Sequence, residues 1–208
     1  MDYRNVSSVI FHVLTIQTSQ WYTVEADDFP ETDDFAHAFD QVAGIFYYFG
    51  GYCNGEKVNS LNAVNMKNLK KVIKLTEHTR SKNPKVPSSR TGARMVKVES
   101  LNCLLMFGGL NKLNETLNDM WKYDIEMAQW SLVKQDGAIP GPRCGHSMSI
   151  HNDMIFLFGG LIEVTHESSE VFQFDPKTNR WEQINTTTMN PYRKTSTLVF
   201  ESYGNIKK

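Results

Sequence analysis

Cysteine is scarce in this 208-residue chain. Cys53, Cys103 and Cys144 stand far apart, with no C-x-x-C spacing, so the sequence offers no disulfide framework. That usage points to a reducing compartment and a cytoplasmic protein. The N-x-[ST] sequons at Asn5, Asn114 and Asn185 pull the other way, but such a short pattern often arises by chance. Long apolar runs are also missing. Nothing approaches the ~18–20 residues of a membrane helix, and no membrane association is expected. The stretch Val6–Ile16 is broken by Ser7, Ser8, His12 and Thr15, and it reads as a buried strand rather than a leader segment. Neither sign of charge dominates: the net charge is −1. No global field therefore favours nucleic acid or an anionic surface. Signatures of catalysis are absent too. The six histidines form no H-x-H or H-E-x-x-H pattern. There is no G-x-S-x-G, P-loop or dinucleotide fingerprint. The expectation is a protein with no cofactor and no bound metal that is not an enzyme.

What the chain does have is aromatics and paired glycines. Aromatic residues make up 12% of it, ample to bury a core. Glycine pairs stand at Gly50-Gly51, Gly108-Gly109 and Gly159-Gly160, spaced 58 and 51 residues apart. Such a period is the mark of a repeat architecture. Each pair closes a short apolar run, "GIFYYFGG", "NCLLMFGG" and "DMIFLFGG", which reads as a strand buried on both faces. Thirteen residues before Gly50 and Gly159 stand His37 and His146, which the spacing treats as one repeat position. Arg90, Arg143 and Arg193 recur at the start of the preceding strand. After the glycines, "VNSLNAVN", "LNDMWKYD" and "SSEVFQFD" alternate at strand period. A turn such as "DPKTNRW" then leads to Trp130 or Trp181, with Val72 near that slot in the earliest copy, one residue late. Each unit is thus four strands, A to D. A follows the Arg, B ends in Gly-Gly, C carries Tyr123-Asp124 or Phe174-Asp175, and D carries Trp. A four-stranded sheet cannot bury both faces alone, so each must stack on the next through large flat side chains.

Gly-Gly after an apolar strand, an aromatic-Asp pair 14–15 residues on, and Trp 6–7 residues later resemble the kelch repeat. The resemblance spans about Val6 to Phe200. It implies an all-β, partial kelch-type β-propeller of four-stranded antiparallel blades. The expected organisation is one repeat region, 1–208: a partial blade at 6–24, blades at about 35–74, 90–134 and 143–184, and a partial blade at 191–208. Kelch propellers usually have six or seven blades, so the remaining ones would come from a longer chain or a second copy.

Strand alternation puts the B–C and D–A loops on one face and the shorter A–B and C–D turns on the other. Variable loops on a rigid scaffold are where recognition usually lives. Charge is uneven on that face. Residues 25–34 hold Glu25, Asp27, Asp28, Glu31, Asp33 and Asp34 with no base. The following D–A region collects Lys70, Lys71, Lys74, Arg80, Lys82, Lys85 and Arg90 against Glu77. The reading is a non-catalytic adaptor or scaffold that binds a protein partner. The candidate contact residues are Arg80, Lys82, Lys85, Asn111, Lys112, Asn114, Glu163 and His166. The repeated arginines either meet a peptide carboxylate bidentately or pair with neighbouring backbone and acids. The alternative is the propeller portion of an enzyme resembling galactose-oxidase-like or specifier proteins. The specifier proteins use a Glu-x3-Asp-x3-His iron set, which Glu115, Asp119 and Tyr123 match only in spacing.

Overall fold

The computed structural model describes residues 9–15, 18–26, 32–67, 72–77, 85–163 and 166–185. Within them the chain is all β apart from one 3-10 turn at Glu99–Leu101. Three four-stranded cores follow one another, each ordered A-B-C-D and antiparallel throughout. The first consists of Ala36–Asp40, Ile45–Phe49, Leu61–Asn65 and Val72–Thr76. The second consists of Arg94–Val98, Cys103–Phe107, Met120–Asp124 and Gln129–Leu132. The third consists of Ser147–His151, Met154–Phe158, Val171–Asp175 and Arg180–Ile184. The third core gains a short strand, Asp136–Gly137, parallel to its outer edge. Ahead of them, Val9–Thr15 pairs with Gln20–Ala26 as a hairpin, with Leu14 opposite Trp21. The expected partial blade at 191–208, with Arg193, lies outside the described residues.

The second sheet shows why its sequence has lost alternation. Met95, Leu104, Met106, Trp121, Tyr123 and Trp130 pack towards the first sheet. Val96, Val98, Cys103, Leu105, Phe107 and Met120 pack towards the third. A sheet covered on both faces needs apolar side chains at every position of its central strands. The tryptophans of strand D lie between sheets. Trp130 meets Phe49 with ring centroids 5.2 Å apart, and Trp181 meets Phe107 at 5.3 Å. Each also leans on its own C-strand aromatic, Tyr123 or Phe174. The repeating unit is therefore a contact between sheets, in which the Phe before one Gly-Gly supports the Trp of the next sheet.

The glycine pairs secure the same junction. All six have positive φ, from 67° at Gly108 to 102° at Gly109, a region closed to most side chains. The second glycine donates its N–H to the carbonyl of the next sheet's arginine: Gly51 to Arg90 and Gly109 to Arg143, both at 2.9 Å. A Cβ on the first glycine would sit 2.5 Å from the Arg90 carbonyl at Gly50 and 2.6 Å from that of Arg143 at Gly108. The glycines allow the next sheet's backbone to come this close.

Pairing corrects one equivalence. Ala36 faces Phe49 and Ser147 faces Phe158. His146 therefore stands at the position of Phe35, and His37 one past Ala36. Counting back from Gly-Gly failed because the A–B turn has four residues in the first sheet (41–44) and two in the third (152–153). The environments differ accordingly. His146 is buried against Phe107, whereas His37 is exposed and stacked on Phe46. Pairing also places Val72 opposite Val64, as Trp130 is opposite Tyr123. Val72 holds the Trp slot after a turn one residue longer.

Candidate functional site

The B–C loops form a row of small ribbons beside the ends of strand B. Thr32–Asp33, Tyr52–Cys53 and Glu56–Lys57 make one, Arg90–Thr91 with Leu110–Asn111 a second, and Leu161–Glu163 with His166–Glu167 a third. Neighbouring ribbons are tied together. Lys57 Nζ donates to the Asn111 carbonyl at 2.7 Å and to Asn114 Oδ1 at 2.8 Å, and the Thr116 hydroxyl donates to the Ile162 carbonyl at 3.3 Å. Backbone bonds link the D–A connections as well, from Gly92 N–H to Asp34 and from Gly145 N–H to Gly92.

Between the first two ribbons lies an open polar cleft of about 430 Å³, lined by Tyr52, Gly55, Glu56, Lys57, Lys112 and Asn114. Two sequence candidates, Lys112 and Asn114, meet there. Asn111 forms the cleft's frame: its Oδ1 accepts from the Leu113 and Glu115 amides, and its Nδ2 donates to Glu115. Lys57 was not among the candidates, yet it organises the cleft. Its side chain is buried, with the ammonium 5.5 Å from the Tyr52 ring centroid. Burial pushes its pKa down, partly offset by Asp34. The available signal was weak: a lone lysine in its loop, with Thr116 and Glu167 at the corresponding positions of the other two.

The other candidates are dispersed. His166 is exposed on the third ribbon, and Glu163 pairs with it in register. Lys85 is exposed beside the first two sheets' connection. Arg80 and Lys82 lie outside the described residues, as do Lys70 and Lys71.

Of the two readings of the repeated arginines, Arg90 and Arg143 follow the second, pairing with neighbouring backbone and acids. Arg90 and Arg143 are each 1% exposed. Arg90 binds Asp119 bidentately at 2.6 and 2.8 Å and donates to the Gly108 carbonyl at 3.0 Å. Arg143 binds Glu170 at 2.9 Å and the Gly159 carbonyl at 3.0 Å. Burial alone would raise the pKa of Asp119, but hydrogen bonds and charge from Arg90, with a bond from Trp121, hold it below the usual carboxylate range. Glu170 behaves likewise through Arg143 and Ser168. These guanidiniums staple strand B to strand C and are not available to a partner.

The Glu115-Asp119-Tyr123 spacing assembles no metal set. Asp119 is held by Arg90 and Trp121, Glu115 by Asn111, and Tyr123 is buried between sheets. Among the described residues no group of three or more His, Cys, Asp or Glu side chains is placed to hold a metal ion. The three cysteines are unpaired thiols, and no helix among the described residues is long and apolar enough to cross a membrane.

Comparison with known proteins agrees with the architecture. Residues 71–206 match the family model described as the KLHDC2/KLHL20/DRC7 Kelch-repeats domain. The chain is 30% identical over 165 residues to Kelch domain-containing protein 3 of Bos taurus and 29% identical over 158 residues to that of Homo sapiens. These matches cover 76% and 72% of this chain and 42% and 41% of the relatives. Host cell factor 2 of Homo sapiens is 23% identical over 193 residues, covering 84% of this chain and 24% of that protein. The chain thus spans about two fifths of the Kelch domain-containing protein 3 sequences it matches. With its Gly-Gly B strands, its D-strand tryptophans between sheets and this match over most of its length, the chain belongs to the kelch-repeat family.

Proposed function

We propose that this chain is a non-catalytic interaction module that binds a protein partner through the face carrying its B–C and D–A loops. The observation that carries the reading is the polar cleft between the first two ribbons, preorganised by the Lys57 bridge to Asn111 and Asn114. A rigid stack of sheets presenting adaptable polar loops suits recognition. Lys112 stands at the cleft with an exposed ammonium, and Lys85 is a second exposed base in the following D–A connection. Adaptor or scaffold roles, and a cytoplasmic setting, follow from this reading together with the unpaired thiols.

The test is affinity capture followed by a hydrogen-exchange footprint of the captured complex. Lys112→Glu with Lys85→Glu should weaken capture about tenfold, and added salt should do the same. Asn152→Ala and Lys177→Ala, in turns of the opposite face, should leave capture unchanged. Protection confined to those opposite turns would overturn the assignment. Stoichiometric metal binding with substrate turnover by the isolated chain would replace it with the enzyme alternative.

A further inference from the structure

The arginine staple recurs by position. Arg90 and Arg143 each stand four residues before the first residue of strand A, Arg94 or Ser147. Their carboxylates, Asp119 and Glu170, each immediately precede strand C. In the first sheet the same two positions hold Thr32 and Ser60. The geometry is retained on a smaller scale: the Thr32 hydroxyl donates to the Gly50 carbonyl at 3.2 Å, as Arg90 does to Gly108. Two further positions shrink or become polar. Asn62 replaces Trp121 as the second residue of strand C, and Lys74, its cross-strand partner, replaces Leu132.

The result is a cavity of about 350 Å³ lined by Thr32, Gly50, Ser60, Asn62 and Lys74, among others. It occupies the corner that the guanidinium and indole fill in the second sheet, and its size falls at the low end of ligand pockets. Acceptors remain there, and among the described residues lining the cavity there is no guanidinium. The Gly50 carbonyl accepts the Thr32 hydroxyl, and a carbonyl has two lone pairs. The Ser60 hydroxyl accepts from Asn62 Nδ2 at 3.4 Å and keeps a second lone pair. Among the described residues the carboxylates of Glu56 and Glu77 and the ammonium of Lys74 also line this space.

We infer that this cavity is a binding site for a guanidinium group, taking an arginine side chain from a protein partner in the place where the neighbouring sheets use their own. The planar five-donor fork suits a backbone carbonyl, a hydroxyl and flanking carboxylates in one corner. A lysine ammonium reaches fewer of them. The biological sense of the site rests on the partner-binding reading, but a small probe tests the cavity alone.

The probe is Nα-acetyl-arginine N-methylamide, titrated into the full chain and followed by amide chemical shifts of Gly50, Ser60 and Asn62. The citrulline and lysine analogues serve as comparisons at constant ionic strength. Arginine should bind at least about tenfold more tightly than citrulline, its neutral isostere. Ser60→Asp, which restores the carboxylate, should tighten binding severalfold. Thr32→Arg combined with Ser60→Asp should abolish it by filling the cavity from within, and should raise the melting temperature. Absence of saturable shifts at these three amides would overturn the inference. So would equal binding of citrulline or lysine, or binding unchanged in the double variant. If the probe binds as stated while partner capture ignores the loop face, the cavity stands and the partner reading falls.

Discussion

The first and second sheets share a topology and differ in how they are fastened. The second has an internal ion pair, Arg90–Asp119, with Trp121 bonded to the same carboxylate at 2.6 Å and Trp130 seated on Phe49. The first has Thr32, Ser60, Asn62 and Val72 at those four positions. The substitutions are coherent. Where the cation went, the carboxylate went too, so neither charge was left buried alone, a state costing several kcal/mol. What both sheets keep is Gly-Gly and its bond to the next arginine's carbonyl, or in the third sheet Gly-Gly alone among the described residues. The junction between sheets is thus the conserved device within this chain, and the staple inside each sheet is the variable one.

The strongest break of that comparison is at the tryptophans. Trp181→Ala removes a side chain that is 1% exposed and touches Phe107, Phe172 and Phe174. It should cost about 3–5 kcal/mol in urea denaturation. Val72→Ala, at the same position of the first sheet, should cost about 1 kcal/mol, since Val72 is only half-buried. Equal losses would mean that the first sheet packs through Val72 as the third does through Trp181.

Arg90→Leu comes next. It leaves Asp119 with the Trp121 indole and one backbone bond while its side chain stays 28% exposed. Partial hydration reduces the penalty, so a loss of about 2–4 kcal/mol is expected. The double variant Arg90→Leu, Asp119→Ser, which imitates the first sheet, should recover part of it. A double variant less stable than the single one would show that the pair is not the unit of substitution.

Much of this was legible in the sequence, and the parts that were not share a cause. Three Gly-Gly copies ending apolar strands give the fold class and family because the signal is local and repeated. The equivalence of His37 with His146 failed because the A–B turn differs by two residues, and turn length is invisible until strands are paired. Whether Arg90 docks a partner or pairs within its own sheet stayed open because its carboxylate lies 29 residues away. Position alone matched Arg90 with Arg143, but nothing local told a staple from a docking residue. Lys57 escaped notice because its role depends on Asn111 and Asn114 in the next ribbon, 54 and 57 residues on. Thr32 and Ser60 look like ordinary loop residues until the missing arginine is recognised.

Acid should distinguish the sheets as well. His146 is buried, neither ring nitrogen has a hydrogen-bond partner among the described residues, and its pKa is lowered from the ordinary 6.5 to about 3 by burial, with Arg94 and Arg143 adding to it. Its native state is neutral. The unfolded chain takes up a proton that the folded chain refuses, so stability falls as pH drops from about 6.5 towards 3. The depressed carboxylates Asp119 and Glu170 act only in the lower part of that range and beneath it: their contribution is present above the unfolded carboxylate pKa and lost as pH falls through the folded one. The first sheet carries Phe35 at the His146 position. His146→Phe should therefore flatten the decline in melting temperature between pH 6.5 and 4.5 and leave the steeper loss below it. An unchanged slope in that interval would remove His146 as its source.

The smallest effect sharpens the comparison most. Thr32→Val removes only the hydroxyl that bonds the Gly50 carbonyl. The methyl groups retain the shape, and the carbonyl lies beside an open cavity that water can enter. A single neutral hydrogen bond with a solvated alternative is worth about 0.5–1 kcal/mol, well under the loss expected for Arg90→Leu. The cost should also be insensitive to salt, because no charge takes part, whereas the loss at Arg90 should shrink as salt screens the partly exposed Asp119. Urea denaturation of both variants at low and high ionic strength measures the two quantities together. If Thr32→Val costs as much as Arg90→Leu, then Thr32 is a full replacement for the arginine and the first sheet is stapled as tightly as the second. In that case the cavity beside it is a by-product of side-chain size, with no acceptors to spare for a guanidinium. A small, salt-independent cost leaves the first sheet as the loosely fastened one, with its carbonyl and hydroxyls still open to an incoming cation.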